Sequence, residues 1–215
     1  MNDYQTFLQS KRLSTAPAGF AVAPGAIHPR LFDWQRDIVR WALLQGRAAL
    51  FEECGLGKTL QQLEWARHVA AHTGGRVLIL APLAVAHQTI AEARTIDFDV
   101  AYVRSQEQAD SAGPVVITNY DMLKAFDPGA FAGVVLDESS ILKAFSGTTK
   151  KRLIEAFAQT PYRLAATATP SPNDVAEIGN HAEFLGVMQS HEMLARWFIN
   201  DQGKAGSYRL KGHAR

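Results

Sequence analysis

The sequence predicts an α/β fold of three layers, in which a mainly parallel sheet is covered by helices on both faces. Short apolar runs, typical of strands that are buried on both sides, recur along the 215-residue chain. Segments with helical periodicity separate these runs, so strands and helices alternate. A glycine-rich turn at residues 51–59 joins the first run to a long helical segment, which is the strand–loop–helix context of a P-loop. Together these features indicate a P-loop NTPase fold.

The predicted elements follow one another from residue 31 onward. A first helix has Asp33 as its candidate N-cap and ends near Gly46. Strands are predicted at residues 48–51, 76–81, 100–103, 114–118, 131–136 and 162–166. Further helices are predicted directly after the glycine-rich turn and at residues 82–93, 148–159 and 174–185. The polar residues 106–113 predict a loop.

The alternating elements divide the chain into three parts. Residues 1–29 are an N-terminal lead-in with a short predicted helix at residues 4–11 and a loop rich in proline and glycine. Residues 30–186 form the predicted α/β lobe. Residues 187–215 are a C-terminal extension, in which residues 204–215 include basic but no acidic side chains. Such a run is consistent with a solvated tail or with contact to a phosphate backbone.

Composition excludes some classes of protein. The chain has 47% hydrophobic and 20% charged residues, which is typical of a globular domain and not of a disordered one. No apolar run approaches the roughly 20 residues that span a bilayer, so we expect no membrane partner. The single cysteine, Cys54, excludes an internal disulfide and favours a reducing cytoplasm. The net charge of +1 does not by itself indicate a nucleic-acid binder.

The glycine-rich turn, which reads FEECGLGKT, is the centre of the candidate site. Its glycines allow backbone N–H groups to converge on phosphate oxygens, and the helix N-terminus adds partial positive charge. Lys58 adds a full charge, and the Thr59 hydroxyl is a candidate ligand of Mg²⁺. Glu52 stands where the full GxxxxGK[ST] pattern has its first glycine. The predicted ATP-binding residues are Gln35, Cys54, Gly55, Leu56, Gly57, Lys58, Thr59 and Leu60.

Two acidic residues complete the candidate site. Asp137 and Glu138 follow the apolar run 131–136, at the carboxyl end of a predicted strand, where open α/β sheets bind ligands. Asp137 is the candidate Mg²⁺ holder, and Glu138 is the candidate general base, with Lys58 as the second catalytic candidate. The Gln35 amide has the donor and the acceptor that an adenine edge requires. We therefore expect ATP and Mg²⁺ as cofactors.

The chain resembles the first motor lobe of superfamily-two helicases and translocases, in particular the Swi/Snf-like branch found in phage and prophage genes. Segments similar to the family's motifs occur in the expected order and cover roughly residues 30–186. They lie at residues 31–35 (the Q-motif), 53–59 (motif I), 80–83 (motif Ia), 117–120, 137–140 (the DEAD or DEAH box) and 166–170 (motif III). The family's P-loop commonly lacks its first glycine, so Glu52 fits the resemblance.

The resemblance implies a RecA-like lobe that couples ATP hydrolysis to movement on nucleic acid, with DNA favoured over RNA, in the cytoplasm of a bacterial or phage-infected cell. It implies nucleic-acid contacts by Pro82, Leu83, Thr118 and Asn119, and coupling of nucleotide state by Thr167 and Thr169. It also implies a second RecA-like lobe, in cis or in trans, that supplies an arginine finger. Nothing after residue 186 resembles such a lobe, so we expect slow or undetectable hydrolysis by this chain alone.

Two alternatives stay open at the level of sequence. One is a truncated nucleotide-binding module that acts through a partner protein, which the missing second lobe and the near-neutral charge favour. The other is a different P-loop enzyme, such as a small-molecule kinase, which gives no reason for residues 167–170. In addition, Ser139 and Ser140 replace the last two letters of the DEAD or DEAH box, so unwinding by a DEAD-box route is not implied.

Overall fold

The computed structural model describes residues 17–143, 148–171, 174–200 and 208–212. Its main sheet contains β1 (Arg47–Phe51), β2 (Arg76–Ala81), β3 (Ala101–Tyr102), β4 (Val115–Asn119), β5 (Phe131–Asp137) and β6 (Tyr162–Thr167). Its helices are α1 (Asp33–Gln45), α2 (Lys58–Thr73), α3 (Leu83–Arg94), α4 (Gln106–Ser111), α5 (Thr148–Ala156), α6 (Ile178–Leu185) and α7 (Ser190–Trp197). A separate antiparallel pair consists of β7 (Phe198–Asn200) and β8 (Tyr208–Leu210). The helix predicted at residues 4–11 and most of the basic segment 204–215 lie outside the described residues.

All six strands of the main sheet are parallel, in the order β1-β6-β5-β2-β4-β3, which confirms the predicted α/β fold. β6 pairs with β1 on one side and with β5 on the other, so the carboxyl ends of these three strands meet at one edge. In this register Phe51 lies beside Thr167, and Asp137 lies beside Ala166. The sheet therefore delivers the P-loop, the acidic pair and the motif III segment to the same place.

Each face of the sheet packs against its own apolar core, because successive side chains of a strand point to opposite faces. Along β2, Val77 and Ile79 belong to the core that includes residues of α1, α2 and α3. Leu78 and Leu80 belong to the core that includes residues of α5 and α6. All four side chains are fully buried, which explains why β2 appears in the sequence as a continuous apolar run. The sheet is thus the middle of three layers, as predicted.

The two ends of α1 are set by different devices. At the C-terminal end, Gly46 has a left-handed φ of 72°, and a Cβ there would lie 2.9 Å from the Gly19 nitrogen. Conformation and space therefore both favour glycine. The prediction that Asp33 caps the N-terminal end is wrong, because Phe32 is the N-cap residue and Asp33 is already helical. The Gln35 side chain satisfies this end instead by accepting a hydrogen bond from the Phe32 N–H at 2.9 Å.

The short helix α4 occupies most of the segment that the sequence predicted as a loop. Its start is capped by Ser105, whose Oγ accepts a hydrogen bond from the Gln108 N–H at 3.3 Å. The helix buries only Ala109, so it leaves almost no apolar periodicity in the sequence. Local capping, which a reading of hydrophobic spacing does not detect, determines this element.

The C-terminal part of the chain also departs from the prediction. The helix predicted at residues 148–159 ends at Ala156, and the one predicted at residues 174–185 starts with a 3₁₀ turn before α6 begins at Ile178. The chain then adds α7 and the β7–β8 pair, neither of which was predicted. Within the described ranges, no helix has the length and apolar character needed to cross a bilayer.

Candidate active site

The P-loop leaves β1 after Phe51 and enters α2 at Lys58. Two glycines adopt left-handed backbone angles in it, with φ of 83° at Gly55 and 76° at Gly57. A Cβ at Gly57 would lie 2.5 Å from the Gln35 Nε2 atom, so a side chain there would have to displace the Gln35 amide. The glycines that the sequence pattern singled out are therefore required by the turn itself.

The first turn of α2 presents backbone donors to the loop. The first hydrogen bond of the helix runs from the Gln61 N–H to the Gly57 carbonyl at 3.4 Å. The N–H groups of Lys58, Thr59 and Leu60 precede this bond and have no partner within the helix. The Leu60 side chain packs against the apolar core, so Leu60 offers a ligand only its backbone. Together with the positive end of the helix dipole, these donors fit the phosphates of a nucleotide.

The Lys58 side chain lies against the backbone of the loop. Its Nζ donates to the carbonyl oxygens of Glu52 at 2.7 Å and of Glu53 at 2.9 Å. Glu52, which replaces the first glycine of the pattern, accepts a hydrogen bond from Gln61 Nε2 at 2.8 Å. Burial raises the pKa of Glu52, and the Gln61 hydrogen bond and the Lys58 charge lower it. Glu52 therefore anchors the loop to α2.

Gln35 supports the P-loop from α1 and is only 4% exposed. Its Nε2 donates to the Leu56 carbonyl at 2.7 Å, and its Oε1 accepts from the Phe32 N–H at 2.9 Å. Nε2 keeps a second N–H donor, and Oε1 keeps a second lone pair. An adenine edge needs one such donor and one such acceptor. The structure thus gives Gln35 a structural role, and its adenine contact stays a prediction.

Asp137 ends β5 with its carboxylate held in place. Its Oδ1 accepts hydrogen bonds from Gln62 Nε2 at 2.9 Å and from the Glu138 N–H at 3.0 Å. The Tyr120 hydroxyl donates to the Asp137 carbonyl oxygen at 2.6 Å. Burial raises the pKa of Asp137, and the Gln62 hydrogen bond opposes that rise. An anchored carboxylate that lines the same cleft as Thr59 fits Mg²⁺, which prefers oxygen ligands.

Glu138 has a strained backbone, with a φ of 51° that only glycine adopts easily. Its Oε1 accepts hydrogen bonds from Thr167 Oγ1 at 2.9 Å and from Ser140 Oγ at 2.8 Å. Within the described part of the chain, Oε2 accepts no hydrogen bond and is available to take a proton. Thr167 also accepts a hydrogen bond from the Thr169 N–H at 3.0 Å. Of the two predicted coupling residues, Thr167 therefore contacts the candidate base directly, and Thr169 is connected to it through Thr167.

A cleft of about 380 Å³ lies between the P-loop, the acidic pair and α3. The cleft is lined by Cys54, Gly55, Gly57, Lys58, Thr59, Val85, Gln88, Glu92, Asp137 and Glu138. The α3 residues among them were missed by sequence reasoning. Val85, Gln88 and Glu92 are spaced three and four residues apart, so they share one helix face. That spacing, directly after motif Ia, is the signal that indicates them.

The four predicted nucleic-acid contacts differ in accessibility. Leu83 is 54% exposed at the start of α3, and Pro82 precedes it as the N-cap residue. Asn119 donates to the Tyr102 hydroxyl at 3.0 Å and caps the turn that follows β4. Thr118 is fully buried, because β4 is covered on both faces, and its side chain does not reach a surface. Its position therefore does not support a nucleic-acid contact, whereas the other three stay predictions.

A buried histidine behind the acidic pair also escaped sequence reasoning. His181 on α6 is 1% exposed, and its Nε2 shares a hydrogen bond with Ser139 Oγ at 3.1 Å. The imidazole also makes an edge contact with the Phe51 ring, with ring centroids 5.1 Å apart. Burial lowers the pKa of His181 to about 4. The imidazole is therefore neutral at physiological pH.

This shift predicts a pH dependence of stability. An unfolded histidine titrates near 6.5, so between pH 6.5 and about 4 only the unfolded state takes up this proton. Stability should therefore fall as pH drops through this window, by on the order of 3 kcal/mol from His181. Urea unfolding of wild type and His181→Phe at several pH values measures the difference. If the difference in unfolding free energy between the two proteins stays constant from pH 7.5 to pH 4, the effect of His181 burial is contradicted.

Sequence comparisons with known proteins point to one family. A family model of the SNF2-related domain matches residues 34–211. Over 178 residues, the chain is 30% identical to the human chromatin-remodeling ATPase INO80 and 28% identical to its namesake from Drosophila melanogaster. Each match covers 71% of this chain and 11% of the relative, so the chain spans about a tenth of these proteins.

A solved structure adds support for the fold. The Sulfolobus solfataricus SWI2/SNF2 ATPase core in complex with dsDNA matches with a TM-score of 0.67 at 20% identity, over 83% of this chain and 41% of that chain. At this level of identity, the likeness establishes the fold alone. The family model, in contrast, matches well over half of the sequence and spans the P-loop, the acidic pair and motif III. The protein therefore belongs to the SNF2-related domain family.

Proposed function

We propose that this chain is an ATP-binding motor lobe that couples ATP hydrolysis to movement along DNA. The proposal rests on one arrangement: a single cleft is lined by Lys58, Thr59, Asp137 and Glu138. In addition, Glu138 accepts a hydrogen bond from Thr167. A phosphate cradle, a metal ligand and a base are the parts that phosphoryl transfer to water needs. Family membership disfavours the small-molecule kinase alternative.

Different residues of the chain have different roles in ATP hydrolysis. The N–H groups at the start of α2 and the Lys58 ammonium bind and orient the phosphate oxygens. Thr59 and Asp137 would hold Mg²⁺, which would neutralise charge on the phosphates. Glu138 accepts a proton from water on Oε2, while Thr167 and Ser140 fix its Oε1.

The same contacts offer a route for coupling. Thr167 donates to Glu138 and accepts from the Thr169 backbone, so a displacement of this segment moves the base. We assign DNA as the nucleic acid because the Sulfolobus solfataricus ATPase core, which has a similar fold, forms a complex with dsDNA. The exposed Leu83 and the adjacent Pro82 are the surface positions that we assign to this contact. A second RecA-like lobe, in cis or in trans, supplies the arginine finger that speeds hydrolysis.

The test is ATP hydrolysis by the purified chain, measured with and without duplex DNA and with and without an added second-lobe polypeptide. We expect DNA to accelerate hydrolysis when both lobes are present, and Lys58→Ala to remove the activity. A module that acts only through a protein partner predicts no acceleration by DNA under any of these conditions. That outcome would overturn the motor proposal while leaving the nucleotide site in place.

Of two narrower predictions, only the cytoplasmic location remains a proposal. A phage or prophage origin has no support from the two curated relatives named above, which are animal proteins. A cytoplasmic location rests on the single exposed cysteine, which fits a reducing compartment. Detection of the protein in cell fractions tests the location directly.

A further inference from the structure

The Ser139–His181 pair lies directly next to the candidate base but has no role in the reaction assigned above. Ser139 follows Glu138 in the chain and stands where the DEAD and DEAH boxes have alanine. Both partners are buried, at 0% exposure for Ser139 and 1% for His181. A buried polar pair of this kind is costly to leave unsatisfied, so each partner constrains the position of the other.

The constraint acts on the turn that carries Glu138. Ser139 begins a 3₁₀ turn, and the Ile141 N–H donates to the Glu138 carbonyl at 3.3 Å. The left-handed φ of Glu138 is unfavourable for a non-glycine residue, so surrounding contacts must hold it. The Ser139–His181 hydrogen bond ties this turn to α6 from the buried side. On the other side, Thr167 holds the Glu138 carboxylate.

The imidazole also touches the other half of the site. The Phe51 ring meets the His181 ring edge-on, at an interplanar angle of 84°. Phe51 is the last residue of β1, and the P-loop follows it directly. One buried side chain on α6 therefore contacts both the strand end that leads into the phosphate cradle and the residue that follows the base.

We propose that His181 is a positioning residue for Glu138, acting through Ser139, in the ATP hydrolysis proposed above. It does not touch the nucleotide or the water. It holds the turn in the conformation that directs the Glu138 carboxylate to Thr167 and the cleft. Because burial lowers its pKa to about 4, His181 stays neutral near pH 7 and adds no charge beside the acidic pair.

The experiment measures single-turnover ATP hydrolysis in the presence of duplex DNA and a second-lobe polypeptide, with the protein in excess over labelled ATP, together with ATP affinity. His181→Phe and Ser139→Ala should each lower the rate constant about tenfold, the lower end of the range for residues that act through a neighbour. ATP affinity should stay within about twofold of wild type. His181→Gln, which keeps a polar nitrogen near the Nε2 position, should recover most of the rate. The rate constant of the double variant should fall no further than that of either single variant, because both substitutions remove the same hydrogen bond.

Controls separate this inference from the proposed function. In a Glu138→Gln background, His181→Phe should have no further effect on the rate. If wild type hydrolyses ATP and Lys58→Ala does not, but Ser139→Ala and His181→Phe keep the wild-type rate, the positioning role is overturned and the function stands. If wild type shows no Lys58-dependent hydrolysis, the proposed function fails and the inference fails with it. Should His181→Phe not fold, Ser139→Ala, which removes a single oxygen, decides the question.

Discussion

Glu138→Gln is expected to lower the single-turnover rate constant of ATP hydrolysis by about 10²- to 10⁴-fold, the range for loss of a general base. The amide keeps the size of the side chain and can still accept from Thr167, but it cannot take a proton. ATP affinity should stay within about twofold, because the phosphates are held by the loop and α2. Rapid quench with labelled ATP, in the presence of duplex DNA and a second-lobe polypeptide, measures the rate, and equilibrium titration measures the affinity.

Glu155→Gln is the matched control for this variant. Glu155 lies on α5, and its side chain is 65% exposed, with a weak ion pair to Lys151. The same chemical change there should alter neither rate nor affinity. A Glu138→Gln protein that hydrolyses ATP at the wild-type rate would show that another group activates the water. Of the acidic residues that line the cleft, Asp137 and Glu92 would then be the next to test.

Lys58→Ala is expected to lower ATP affinity by about 10- to 100-fold. The loss corresponds to roughly 1.5–3 kcal/mol, the range for a hydrogen bond to a charged group. The substitution removes the positive charge beside the candidate phosphate site and the two bonds from Nζ to the loop carbonyls. Calorimetric titration with Mg·ATP measures the change.

The matched control for this variant is Lys151→Ala on α5, where the side chain is 78% exposed. Its ATP affinity should equal that of wild type, so that a general effect of charge is excluded. Equal affinity of Lys58→Ala and wild type would show that the P-loop does not hold the phosphates. The whole assignment of the site would then be wrong.

The strands and the P-loop could be predicted because their sequence signals are local. β2 and β5 are buried on both faces, so almost every residue in them is apolar and the run marks the strand. The glycines at positions 55 and 57 are required by left-handed backbone angles that other residues adopt poorly. The predicted site residues at positions 58, 59, 137 and 138 meet in one cleft because the strand order brings β1 and β5 to either side of β6.

The missed features depend on contacts between distant parts of the chain. Ser139 and His181 are 42 positions apart, and nothing in either neighbourhood indicates that they meet. Gln61 likewise bonds the Glu52 side chain nine positions away, across the loop. Thr118 occupies a motif position, but it is buried because of the place of β4 in the sheet and not because of its residue type. Sequence pattern therefore predicts which segments meet, and tertiary packing decides what each side chain touches.

Cys54 offers the most direct test of the central claim that this cleft holds ATP. It is the single cysteine of the chain, it is exposed, and it lines the cleft beside the P-loop glycines. The measurement is the rate of Cys54 alkylation at increasing Mg·ATP concentration, for wild type and for Lys58→Ala. If the cleft holds ATP, Mg·ATP slows alkylation of wild type, and Lys58→Ala needs far more nucleotide for the same protection. Alkylation of wild type at the same rate with and without saturating Mg·ATP would contradict that claim.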